Sequence, residues 1–238
     1  MIYQVSTKNP IISGSINLPS SKSISNRALI INALNYSPYP LQNLSDSDDT
    51  VVLSAALNSN SNKFDIGHAG TAMRFLTAFL SKIVGEWEVT GSERMQQRPI
   101  SILVDALNSL GAQIKYLKNE GFPPLKILGS HLTGKTIELD GSVSSQYISA
   151  LLLIAPTIEN GLTLKLTGEI TSRSYINLTL ELMAKFGIQY NWEENQISVP
   201  EQNYIARDFT IEADWSGASY WYEILSLCKT GEILLENL

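Results

Sequence analysis

An α/β fold assembled from a repeated β-α-β-α-β-β unit is expected from this chain. Short alternating runs are followed repeatedly by segments of helical period, and two kinds of loop alternate along the sequence. The first kind occurs three times. SINLPSSKSISNRALI (15–30), TIELDGSVSSQYISALLL (136–153) and TIEADWSGASYWYEIL (210–225) each pass from a strand through a serine-bearing polar loop into a helix. The second kind occurs twice, in GSERMQQRPISILVDALNSLGAQIKY (91–116) and GEITSRSYINLTLELMAKFGIQY (168–190), where a Gly/Ser/Arg loop opens an amphipathic helix that stops at Gly111 or Gly187. A glycine there suits the left-handed residue that closes many helices. The alternation implies a unit of about 60 residues.

In chain order, residues 12–18 alternate as a strand and 25–34 have helical period. Asp46, Asp48 and Asp49 are expected to cap a helix over 51–57, because acidic side chains accept the free amides of a first turn. An active-site role for Asp48 or Asp49 is the second reading. The polar run at 58–62 reads as a surface turn. Leu103, Leu107 and Leu110, like Leu178, Leu182 and Phe186, recur at helical spacing and mark core faces. GSHLTGKT (129–136) satisfies the spacing of a phosphate-binding loop, but such a loop must open a helix at its lysine. Lys135 leads into alternating TIEL, so a turn is expected, followed by a strand at 137–139 and a helix at 146–154. Trp215 and Trp221 are expected to pack in an incomplete C-terminal part that leaves them and the apolar helix around Ile224 poorly covered, with Cys228 an inert buried thiol in that helix.

Composition narrows the function classes. With 238 residues, 44% of them hydrophobic, the chain can bury a sizeable core. Its 17 basic residues stand against 23 acidic ones without any basic block, which argues against a general nucleic-acid or membrane surface. Any anion site must be local. MIYQVSTKNP lacks the apolar core of a signal peptide, and no stretch approaches the ~20 apolar residues of a membrane span, so a cytoplasmic location is expected. One cysteine excludes an internal disulfide, and two histidines without cysteine partners provide no zinc spacing.

The helix-entry loops are where chemistry is expected. The first turn of a helix leaves amide N–H groups unpaired at the positive end of its dipole, and nearby serine hydroxyls can complete a cradle for an oxyanion. Taken singly, such a loop is read as simple capping. In LPSSKSISNRALI (18–30) the loop also carries Lys22 and Arg27, five residues apart. A lysine point charge beside an arginine fork suits a carboxylate or a phosphate, with solvated surface cations as the alternative.

Five segments then carry a resemblance: LPSSKSISNRALI, GHAGTAMRFLTAFL (67–80), GSERMQQRPISILVDAL (91–107), LDGSVSSQYISALLLIAP (139–156) and EADWSGASYW (212–221). In this order, and spread over essentially the whole chain, they resemble the 5-enolpyruvylshikimate-3-phosphate synthase family. The resemblance implies two similar domains, each of three β-α-β-α-β-β units. It implies transfer of the enolpyruvyl group of phosphoenolpyruvate to the 5-hydroxyl of shikimate 3-phosphate with release of phosphate, using no metal or organic cofactor. Small-molecule anions are the expected partners, with neither nucleic acid nor membrane.

Residue by residue, the resemblance places Lys22 between both substrates as the catalytic candidate, and Ser23 and Arg27 on the shikimate carboxylate. Ser144, Ser145 and Ser172 would hold the 3-phosphate, Gln146 would touch both ligands, and Tyr175 would lie beside shikimate 3-phosphate. Gly70, Thr71 and Arg94 would meet phosphoenolpyruvate, and Arg74 and Arg98 are read as supports. Family members are close to twice this length, so the resemblance implies one complete domain over 20–210, with 1–19 and 211–238 as fragments of a truncated second domain. Alone, such a chain is expected to bind shikimate 3-phosphate without turnover and to self-associate, whereas full-length members are monomeric. Ser20, His68 and Phe75 depart from the residues usual in the family; His68 and Phe75 flank the phosphoenolpyruvate loop, and a base role for His68 is disfavoured because the second domain normally supplies it. The alternatives are the related enolpyruvyl transferase acting on UDP-N-acetylglucosamine, against which Ser23 and the helical setting expected for Cys228 count, and a non-catalytic phospho-ligand binding module.

Overall fold

The computed structural model describes residues 11–238. Residues 1–10, including the N-terminal segment read above for a signal peptide, lie outside the described residues. The chain opens with β1 (Ile11–Asn17), α1 (Lys22–Leu34), β2 (Leu41–Gln42) and α2 (Asp48–Leu57). Helix α1 starts earlier than its period suggested, because the Ser21 hydroxyl accepts the Ile24 N–H at 3.4 Å and satisfies a first-turn amide. Helix α2 also starts early, which corrects the capping expectation. Ser47 is its N-cap residue, and Asp48 and Asp49 stand inside the first turn, where the helix dipole favours negative charge.

Two complete units follow. The first comprises β3 (Lys63–Asp65), α3 (Gly70–Lys82), β4 (Gly85–Thr90), α4 (Ser101–Ser109), β5 (Gln113–Tyr116) and β6 (Leu125–Gly129). The second comprises β7 (Thr136–Asp140), α5 (Ser145–Ile154), β8 (Leu162–Thr167), α6 (Arg173–Lys185), β9 (Asn191–Glu193) and β10 (Gln196–Val199). Their sheets have the same plan: β3-β4-β6-β5 and β7-β8-β10-β9, each with a parallel first pair and antiparallel pairs thereafter. A parallel pair requires a crossover, which α3 and α5 supply. Alternation sends Ile137, Leu139, Leu164, Leu166, Ile197 and Val199 into the core. Gly111 and Gly187, at φ +106° and +88°, take the left-handed positions expected after α4 and α6. No helix opens at Lys135; the chain enters β7 directly, as its alternation implied.

The chain ends in β11 (Phe209–Thr210), α7 (Trp215–Ser226) and β12 (Thr230–Glu236). Strand β11 pairs with β2 and β12 with β1, both in parallel. Helices α3 and α5 are buried on nearly every side and pack on each other and on α1, while α2, α4 and α6 flank them, so one core runs from Ile24 to Ile211. A separate small cluster of Leu18, Ala213 and Ala218, with Ile16, Trp221 and Leu235 against it, lies under α7 and the β1–β12 pair. Trp221 packs as expected. Trp215 is 58% exposed, in line with the poor cover expected of these aromatics: it opens α7 on a face that no other described element covers. Cys228 departs from expectation, lying beyond the end of α7 and only half-buried, its thiol 3.2 Å from the Ile224 carbonyl. Among the described residues no helix is long and apolar enough to cross a membrane.

Candidate active site

The first turns of α1, α3, α5, α6 and α7 meet at a cavity of about 390 Å³. From α1 come Lys22, Ser23 and Arg27; from α3, Thr71; from the entry of α5, Ser144, Ser145 and Gln146; from α6, Tyr175. Asp214 and Ser216, at the start of α7, complete the wall. Thus residues separated by almost 200 positions share one pocket rimmed by helix N-termini, the arrangement that binds anions through amides and dipoles. Ser144 caps α5 by accepting the Gln146 N–H at 3.4 Å, and the Gln146 amide reaches across to the Thr71 hydroxyl at 3.4 Å.

Arg27 is only 4% exposed, and among the described residues no carboxylate pairs with it. Its Nε–H donates to Thr179 Oγ1 at 2.7 Å, Nη1 to the Ser23 carbonyl at 2.8 Å and Nη2 to Ser149 Oγ at 3.0 Å, while the guanidinium lies 5.5 Å from the Phe75 ring centre. Burial pulls its pKa down to about 10, the reverse of what an acidic partner would do. Of five N–H donors, one on each terminal nitrogen is left over. Lys22 is more open, with Nζ 4.0 Å from Asp49 Oδ2.

The entry of α3 is built differently. Ala69, its N-cap, offers no side-chain oxygen, and the Thr71 N–H is met instead by Asp49 Oδ1 at 3.2 Å. Gly70 sits beneath the Arg98 guanidinium, where a Cβ would come within 3.0 Å of Cζ. Only glycine lets that cation lie so close to the backbone. Arg74 is buried and braces the loop through Nη1 to the Gly70 carbonyl at 3.2 Å and Nη2 to the Pro99 carbonyl at 3.0 Å. Tyr147 donates to the same Pro99 carbonyl at 2.6 Å.

Four candidates stand outside the cavity wall, Gly70 beneath Arg98 being the first. Ser172 precedes α6 without capping it, Arg94 is exposed in the loop after β4, and His68 bonds through Nδ1 to Ser92 Oγ at 2.8 Å. The sequence reading had not singled out Asp214, Ser216, Ser149 or Thr179. Asp214 and Ser216 lie in the third copy of the strand-loop-helix form, so a signal existed; Ser149 is one hydroxyl in an otherwise apolar helix segment, and Thr179 one more polar residue in an amphipathic helix.

The model of the family described as EPSP synthase (3-phosphoshikimate 1-carboxyvinyltransferase) matches residues 7–59 and 52–238. The chain belongs to the EPSP synthase family. A 3-phosphoshikimate 1-carboxyvinyltransferase of Bacteroides fragilis (strain YCH46) is 58% identical over 228 residues, covering 95% of this chain and 56% of that protein. One from Pseudoalteromonas atlantica is 42% identical over 244 residues, covering 90% of this chain and 57% of that protein. The EPSP synthase structure from Acinetobacter baumannii shares the fold with a TM-score of 0.84 at 21% identity, over 95% of this chain and 56% of that one. The chain therefore spans little more than half the length of the EPSP synthase family members it matches.

Proposed function

We propose that this chain carries the shikimate 3-phosphate half of an enolpyruvyl transferase that moves the enolpyruvyl group of phosphoenolpyruvate to the 5-hydroxyl of shikimate 3-phosphate and releases phosphate. The observation that carries the proposal is Arg27, a buried guanidinium with no carboxylate partner and two spare donors at a pocket of hydroxyls and helix N-termini. A buried unpaired charge is costly unless a ligand of opposite sign completes it. Ser23 and Arg27 take the carboxylate; Ser144, Ser145 and Ser172 the 3-phosphate; Tyr175 flanks the ring; Gln146 touches both substrates. Gly70, Thr71 and Arg94 receive phosphoenolpyruvate, and Lys22, between the two, stabilises developing charge and moves a proton as the hydroxyl adds to C2 and phosphate leaves.

Residues 20–210 form the first domain and 1–19, of which only 11–19 are among the described residues, go with 211–238 as part of a second, a division supported for the described residues by the continuous core and the small separate cluster under α7. The aromatic and aliphatic face of α7 and its C-cap, with Tyr220 and Leu227 at 67% and 80% exposure, makes the isolated chain prone to self-association. A small-molecule enzyme of this kind fits a cytoplasmic location.

Calorimetry decides between the readings. Shikimate 3-phosphate is expected to bind the chain and Arg27→Ala to remove that binding, with no heat from UDP-N-acetylglucosamine. The opposite selectivity favours the sugar-nucleotide transferase, and silence from both favours a different phospho-ligand module. Phosphate release is expected to be negligible from the chain alone and to appear when the remaining half of a relative is supplied in trans.

A further inference from the structure

We infer that Ser149 and Thr179 are positioning residues, a buried hydroxyl clasp that aims the Arg27 guanidinium at the carboxylate of the ligand in the cavity. The inference rests on the proposed shikimate 3-phosphate site and goes further, to residues that do not line the pocket. Both hydroxyls are fully buried, each on a different helix from Arg27. Their protons run one way. Thr179 Oγ1 donates to the Tyr175 carbonyl at 2.8 Å, so it must accept from Ser149 Oγ at 2.8 Å and from Arg27 Nε–H at 2.7 Å. Ser149, its proton spent on Thr179, accepts Arg27 Nη2–H at 3.0 Å. Nε–H and one Nη2–H leave the same edge of the planar group, and the Ser23 carbonyl takes one Nη1–H at 2.8 Å. What remains is one N–H on each terminal nitrogen, donors left for the oxygens of an anion.

The clasp also explains why two hydroxyls occupy an otherwise apolar helix interface. Buried polar groups are tolerated when they are satisfied, and both hydroxyls are: each spends its proton and accepts from Arg27. It ties α1 to α5 and α6, so the helices that bring Ser144, Ser145 and Tyr175 to the cavity are registered against the arginine by the same three side chains. Phe75, 5.5 Å from the guanidinium, supplies a ring beside the group.

Thr179→Val keeps the side-chain shape and removes the hydroxyl. With the whole 238-residue chain in the calorimeter, that variant is expected to bind shikimate 3-phosphate about tenfold or more weakly, and Thr179→Ser to stay within about threefold of the parent. The shikimate 3-phosphate methyl ester, which lacks the anionic carboxylate, is expected to bind parent and Thr179→Val alike. Equal loss for both titrants, or no loss for either, overturns the clasp. Nitrogen-resolved NMR of the Arg27 Nε–H is independent of any ligand: its exchange with water should accelerate about tenfold or more in Thr179→Val. If the parent binds no shikimate 3-phosphate, the proposed function fails by itself. Unchanged exchange then overturns the clasp, and accelerated exchange upholds it.

Discussion

The two complete units, β3 to β6 and β7 to β10, have one topology and two chemistries. Each sends a buried crossover helix to the same cavity. Helix α5 arrives with hydroxyls, Ser144 capping its first turn and Ser145 beside it. Helix α3 arrives with bare backbone, Ala69 and Gly70, overlaid by the Arg98 guanidinium and braced from below by Arg74. A hydroxyl cap is satisfied by its own helix and adapts to a ligand, whereas the glycine entry of α3 borrows Asp49 for its Thr71 amide and lets a cation approach the main chain. Repetition therefore supplied the scaffold twice, and the first turn of each helix set what it can hold.

The largest effects should come where the units are structurally interchangeable. Gly129 closes the first unit and Gly134 opens the second, and a Cβ at either would run into a carbonyl, of Ile83 or Gly161 respectively. Gly129→Ala and Gly134→Ala are each expected to destabilise by about 3 kcal/mol or more in urea unfolding; an unchanged midpoint for one alone would break the equivalence of the two joints. Next come the cavity ends themselves. Gly70→Ala should displace Arg98 and raise the KM for phosphoenolpyruvate about tenfold in the trans-complemented assay, with little change in thermal stability. Ser144→Ala should do the converse, costing about 1 kcal/mol of stability through the lost cap and weakening shikimate 3-phosphate rather than phosphoenolpyruvate. If both variants weaken the same ligand, the contrast between the helices is wrong. Tyr147→Phe removes the bond that joins α5 to the Pro99 carbonyl of the other unit and should cost about 1 kcal/mol by thermal unfolding.

The smallest effect belongs to the exposed clasp near that joint. Glu159 accepts from His131 and Thr133, each at 3.1 Å, and these bonds lower its pKa, the His131 bond most. Because the folded value lies below the unfolded one, the contribution is whole above about pH 4.5 and fades as pH falls through the folded value. Glu159→Gln should leave the melting temperature at pH 7 within error and flatten the acid limb slightly.

The unit was legible in the sequence because its signals are local. Period-2 and helical runs, Gly111 and Gly187 after the amphipathic helices, and serines before the crossover helices all act through residues within one or two turns of each other. The cavity wall was legible for the same reason: Lys22, Ser23, Arg27, Thr71, Ser144, Ser145, Gln146 and Tyr175 lie at or near helix starts. Cys228 was misread because its surroundings depend on what covers α7, which no local pattern encodes.

By itself the sequence determined the α/β unit, its repetition and the helix starts that would gather anion-binding groups, since each depends on hydrogen bonds between near neighbours in the chain. Only the tertiary structure decided that Arg27 would be held by Ser149 and Thr179, 122 and 152 residues further on, and that Asp214 and Ser216 would close the same pocket. Which hydroxyl meets which guanidinium is set by the depth and rotation of packed helices, and those follow from the shape of the whole core rather than from any spacing along one of them.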